Sequence, residues 1–125
     1  MVLVLGFGVA ACSKDSSKTS GEAVPSEAPE AAVTRYFAAV KARSCDGLKA
    51  ASAGSLATTL TKSGCAKVLE DAQHHKLRLV KIVATKKAGR DPRARLVEIE
   101  VFAKTQRFLT VRVVPKNGQW ALFNL

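Results

Sequence analysis

Two hydrophobic periods divide the chain near residue 76. Before that point apolar positions recur every three or four residues, and after it they alternate with polar ones. Val33, Tyr36, Phe37 and Val40 stand at i, i+3, i+4 and i+7, which predicts a helix over 29–43 with one buried face. Pro29 suits its first turn, where a backbone N–H would have no partner, and Glu27 and Glu30 suit the positive end of the helix dipole. Asp46 is placed to cap a short second helix carrying Leu48 and Ala51. After a break at Ala53-Gly54-Ser55, Leu56 and Leu60 resume the helical spacing. Cys65, Val68, Leu69 and Ala72 then form the stripe of a further helix ending near His75.

The alternating half predicts strands over 77–85, 95–103, 108–114 and 119–125, separated by the turn segments KKAGRDP, KTQR and PKNG. In the register we expect for the second and third strands, Val97 faces Val113, Ile99 faces Val111 and Val101 faces Leu109. On the opposite side Glu98 meets Arg112 and Glu100 meets Thr110, and a slip of one residue would break both sets together. That register also sets Phe102 against Phe108. With Leu96 and Val114 they would form an apolar patch on the face away from the helices, suited to a homodimer through the sheet. Asn117-Gly118 has the sequence of a type I′ turn. A two-residue loop there places Trp120 and Leu122 on the side of Val113. A bulged three-residue loop places Ala121, Phe123 and Leu125 there, and the pattern is compatible with both.

Helices followed by an antiparallel meander define an α+β domain, with N-terminal helices packed on a curved four-stranded antiparallel sheet. The chain has 125 residues, 47% of them hydrophobic and 24% charged, which suits one modest core and excludes a multi-domain enzyme. The amino terminus stands apart from this domain. Residues 1–11 carry no charge and are too few to span a bilayer as a helix, but they have the length of a signal peptide's apolar core. Val9-Ala10-Ala11-Cys12 resembles the lipobox of bacterial lipoproteins, so Cys12 is expected to carry a diacylglyceryl group on its sulfur. Signal peptides open on Lys or Arg and no basic residue precedes Val2, so the expectation is a peptide truncated at its start. Residues 12–26 then read as the lipidated Cys and a flexible tether. The Ser- and Lys-rich tether segment holds only Ala23 and Val24 as aliphatic residues, too few to offset the entropy of ordering, and reaches roughly 20 Å. The folded domain is expected over 27–125.

With Cys12 assigned to lipid, Cys45 and Cys65 remain, and in an oxidising extracytoplasmic compartment they can pair within the chain in only one way. No CxxC spacing is present, and no further Cys could complete a zinc site, so no metal and no cofactor is expected. His74-His75 are adjacent on a helix, about 100° apart, which is poor geometry for one metal and reads as solvated charge at a helix C-terminus.

Three segments together carry a wider resemblance. The first helix contains Ala-Val-x-x-Tyr-Phe-Ala-Ala-Val over Ala32 to Val40, a short helix follows Cys45-Asp46-Gly47, and a closing hairpin contains Asn117-Gly118-Gln119-Trp120. Over residues 28–125 this resembles the nuclear-transport-factor-2-like superfamily, and more closely the small bacterial lipoproteins with that cone-shaped fold. The resemblance implies a pocket between the long helix and the curved sheet, for which Tyr36, Phe37 and Trp120 are the candidate lining residues. Isomerase-type members of the superfamily place an acid–base group and an oxyanion donor in that pocket. Here Tyr36 is the only tyrosine, and the four Asp residues (Asp15, Asp46, Asp71 and Asp91) fall in the tether, a cap, a helix end and a turn. No catalytic residue is assigned on this basis.

Basic residues outnumber acidic ones 20 to 10, for a net charge of +10. Lys86, Lys87, Arg90, Arg93 and Arg95 crowd the first strand connection, while no aromatic residue interrupts 78–95 to stack on bases, which argues against nucleic acid. An anionic lipid surface or envelope polymer fits the cluster better, since each basic residue near such a surface contributes roughly 1 kcal/mol. The reading is therefore a membrane-anchored extracytoplasmic lipoprotein acting as a non-catalytic binding or envelope-structural module. Where the host has two membranes, Ser13 after Cys12 points to the periplasmic side of the outer one, because lipoproteins held in the inner membrane commonly carry Asp there. The alternative is a small-molecule isomerase or dehydratase using the cone pocket, with Tyr36 and Asp46 as its groups.

Overall fold

Four helices precede four strands in the computed structural model, which describes residues 24–125. Cys12 and the tether through residue 23 lie outside the described residues. Helix α1 (Glu30–Ala42) starts at Pro29 with Glu30 in its first turn, and buries Ala32, Val33, Tyr36, Phe37 and Ala39. Its C-terminus closes in a Schellman motif: Arg43 adopts φ 55°, its N–H donates to the Val40 carbonyl, and the Ser44 N–H donates to Ala39. Helix α2 (Cys45–Ala50) is capped by the Ser44 hydroxyl, which accepts from the Gly47 N–H at 3.0 Å. Asp46, expected as that cap, instead lies inside the first turn. Ser44 takes the role because its extended backbone aims the hydroxyl at the open N–H.

Helix α3 (Gly54–Ser63) and helix α4 (Cys65–His74) meet at Gly64, whose φ of 85° turns the chain between them. The disulfide Cys45–Cys65 joins the first residues of α2 and α4, with a Cα–Cα distance of 5.7 Å. The segment leading into α3 is also fastened to the end of the sheet. Ser52 bridges Leu122 in parallel, and the Ala53 N–H donates to the Leu122 carbonyl at 2.7 Å. Gly54, at φ 54°, lies against the Phe123 ring, where a Cβ would come within 2.2 Å of Cε2. Only glycine fits both the conformation and the space.

Strands β1 (Arg78–Ala88), β2 (Asp91–Ala103), β3 (Thr105–Lys116) and β4 (Gln119–Leu122) pair in sequence order as one antiparallel sheet. The first connection is tighter than expected. Gly89-Arg90 alone make the turn, so Lys86 and Lys87 belong to β1, and Arg93 and Arg95 to β2. Gly89 at φ 55° permits this, and the run of charged residues had concealed it. The register of β2 on β3 also differs from expectation by two residues. Val97 faces Val111, Ile99 faces Leu109, Glu98 faces Thr110, Glu100 faces Phe108 and Phe102 faces Gln106. A tight turn about Lys104, at φ 66°, replaces the longer KTQR loop. A shift of two leaves every side chain on its own face, so alternation alone had no means of detecting it. In the last hairpin Asn117 and Gly118 both have positive φ, and Val113 faces Leu122. The two-residue loop is the one formed.

Valines 97, 101, 111 and 113, with Ile99, Leu122 and Trp120, meet Val33, Tyr36, Phe37 and Leu48 between sheet and helices. β1 carries register shifts between Leu79 and Lys81 and between Ile82 and Ala84. These bulges leave Val80 and Val83 half-exposed while Leu79 and Ile82 still pack on the core.

Candidate functional site

The space between α1 and the sheet, where the resemblance implies a pocket, is filled by side chains. Val33, Leu48, Val97, Ile99, Val111, Val113 and Leu122 are fully buried there. Trp120 is part of that filling. Its Nε1–H donates to the Glu27 carbonyl at 3.0 Å, its backbone N–H donates to Glu27 Oε2 at 2.8 Å, and the Arg95 guanidinium lies 5.5 Å from the ring centroid. Trp120 is not among the residues lining the two cavities that follow.

The larger cavity is an open groove of about 780 Å³ outside that core, between the C-terminal half of α1, the end of α4 and the start of β1. Ligand pockets run roughly 300–1,000 Å³, so the volume suits a small molecule. Phe37, Val40, Ala72, Leu77 and Leu79 give it an apolar lining. Lys41, Arg43, Lys76 and Arg78 also border it, and no carboxylate does. The local sequence explains this arrangement. Both α1 and α4 end in Schellman motifs with a cation at the left-handed position, Arg43 in one and Lys76, at φ 55°, in the other. Cations at helix C-termini are favoured by the negative end of the dipole. Arg43 is further held by the Gln73 amide oxygen, which accepts from its guanidinium, and the Arg78 guanidinium lies 4.5 Å over the Phe102 ring. Two helix C-termini contribute about one negative charge together, so the four cations leave the rim positive. Phe37, expected to line a pocket between α1 and the sheet, borders this groove instead, and the cations around it come from helix ends distant in sequence.

A smaller cavity of about 350 Å³ is lined by Tyr36, Val68, Asp71, Ala72, His75, Leu77, Ala103, Arg107 and Leu125. Tyr36 is 2% exposed, and burial pushes its phenol above the ordinary value of 10.0, so it stays protonated at neutral pH. A protonated phenol can donate a hydrogen bond but cannot take a proton. Asp46 borders neither of these two cavities. The His75 ring Nδ1 lies 2.8 Å from the Asp71 carbonyl. His74 is exposed in the last turn of α4, and among the described residues no cluster of His, Cys, Asp and Glu could hold a metal ion.

The five basic residues of the first connection are divided between the two faces of the sheet and the turn. Lys86 is ion-paired with Glu98 at 2.6 Å on the outer face. Arg95 lies on the helix side beneath Trp120, donating to the Pro92 and Ala94 carbonyls at 2.9 Å, and Lys87 pairs with it in register. Arg90 is exposed in the turn, and the Arg93 N–H donates to Asp91 Oδ1. The apolar patch expected from facing phenylalanines does not form. Phe108 is 68% exposed opposite Glu100, while Phe102 stands opposite Gln106 under the Arg78 guanidinium. The Glu100 carboxylate accepts from the Gln106 amide between them.

No known protein family matches the chain, and no curated protein matches it. Among the described residues no helix is long and apolar enough to cross a membrane.

Proposed function

We propose that the chain is a lipid-anchored extracytoplasmic lipoprotein whose nuclear-transport-factor-2-like domain binds a ligand rather than transforming one. The observation that carries the reading is the groove: open, apolar-lined, bordered by cations, and outside a core that is already filled. The pair expected for an isomerase or dehydratase is not assembled at one cavity: Tyr36 lines the smaller one and stays protonated, while Asp46 lines neither of the two. The disulfide suits an oxidising compartment outside the cytoplasm, where structural disulfides persist. The anchor at Cys12 and a tether reaching roughly 20 Å would keep the domain beside a membrane surface, in the company of envelope lipids and anionic polymers.

The anchor is tested by Cys12→Ala in the chain expressed behind a basic signal start. The wild type should take up labelled palmitate and sediment with membranes. The variant should incorporate no label and be released. A wild type that takes up no palmitate contradicts the reading.

A further inference from the structure

We propose that the groove beside α1 takes a single-chain amphiphile with an anionic head, a fatty carboxylate, with the chain on the apolar wall and the head among Lys41, Arg43 and Lys76. The inference rests on the binding-module reading and gives its ligand a chemical class. Three observations converge on it. The wall is continuous in character: Phe37, Val40, Ala72, Leu77 and Leu79 come from three elements and supply no carboxylate or amide along the chain's path. The only amide at the border, Gln73, is engaged by Arg43. A neutral apolar ligand would leave the rim's positive charge unanswered, and a cationic one would be repelled by it. A head group without a chain would leave the apolar wall in water.

The rim cations also occupy unusual backbone. Arg43 and Lys76 both have φ of 55°, a conformation that favours glycine. Replacing Lys76 by glycine therefore removes a charge while relieving the backbone, so lost binding cannot be ascribed to lost folding. Ala38 is exposed on α1 at the groove, so a larger side chain there fills the groove without entering the core.

The test uses the full chain released from the membrane by Cys12→Ala, so that no acyl group of its own competes. Decanoate, decanol and acetate are titrated below micellar concentrations, read by calorimetry and by amide chemical shifts at Ala38, Ala72 and Leu77. Decanoate should bind saturably with shifts at those positions, decanol at least tenfold more weakly, and acetate not measurably. From octanoate to dodecanoate affinity should rise about two- to fourfold per methylene, as burial of each in a partly open groove implies. Lys76→Gly combined with Lys41→Ala should weaken decanoate at least tenfold, leave decanol unchanged, and keep the Tm contributed by position 76 the same or higher. Ala38→Trp should abolish both. Equal binding of decanol and decanoate, no saturable binding of decanoate, or binding that survives Ala38→Trp would each overturn the proposal. The anchoring test on Cys12 is independent of these outcomes, so a wrong ligand class and a wrong anchored reading are told apart.

Discussion

Replacing Cys45 and Cys65 together by serine should destabilise the domain by about 3 kcal/mol, the chain-entropy contribution of a bond closing 20 residues of sequence separation. For a domain of this size, whose total stability is of the order of 5–15 kcal/mol, that is a large share. The Tm should fall by about 10–20 °C. The effect concentrates in α2 and α3, because Leu48 and Leu60 are the only large side chains fully buried between the two cysteines. Hydrogen exchange should therefore rise first over Cys45–Ser63, while the amides of β2 and β3, buried by cross-strand Val and Ile pairs, stay protected. Two alkylatable thiols at positions 45 and 65 in the natively folded, exported protein would contradict this. So would an unchanged Tm in the double variant.

The second large effect is expected at Trp120. Truncation to alanine removes the largest fully buried side chain and should cost about 3–5 kcal/mol. Trp120→Phe keeps most of the burial and loses the Nε1–H bond to the Glu27 carbonyl, at about 1–2 kcal/mol. The same junction makes the domain acid-sensitive. Burial pushes the Glu27 carboxyl upward, yet the Trp120 N–H and the Arg35 guanidinium at 2.6 Å together hold it below its ordinary value of 4.5. A carboxyl whose folded pKa is depressed contributes stability present above its unfolded pKa and lost as pH falls through the folded one. The Tm should thus decline as pH drops below 4.5, and Glu27→Gln should be less stable at neutral pH with a shallower decline. Some slope remains in that variant, because Glu30, held by the Thr85 hydroxyl, and Asp91, held by the Arg93 N–H, are lowered too. Thermal melts across pH 3–7 measure both.

Which features were legible in the sequence follows from the range of the forces involved. The helical stripe of Val33, Tyr36, Phe37 and Val40 and the alternation of Val97, Ile99 and Val101 are local patterns, and the elements they predicted are formed. The pairing of Cys45 with Cys65 was expected once Cys12 was set aside for lipid, since two cysteines pair in only one way. The register between β2 and β3 depends on how tightly Lys104 turns, and a two-residue shift changes no side chain's face. Asn117-Gly118 left two loops open, and both residues' positive φ settles the shorter. The groove was the least legible feature. Its wall and rim come from residues 34–43 and 72–79, brought together only when α1 packs beside the start of β1. The aromatic residues that drew attention in the sequence mostly fill the core instead.

Ligand contact is expected at the groove, not in the interior or on the sheet's outer face. A photo-crosslinking side chain placed at position 38, on the groove, or at position 110, exposed on the outer face of β3, tests this in the tethered protein within its own envelope. After irradiation and intact-mass measurement, position 38 should yield a discrete adduct of small-amphiphile mass and position 110 none. No adduct from position 38, or the same adduct from both positions, would contradict binding at the groove.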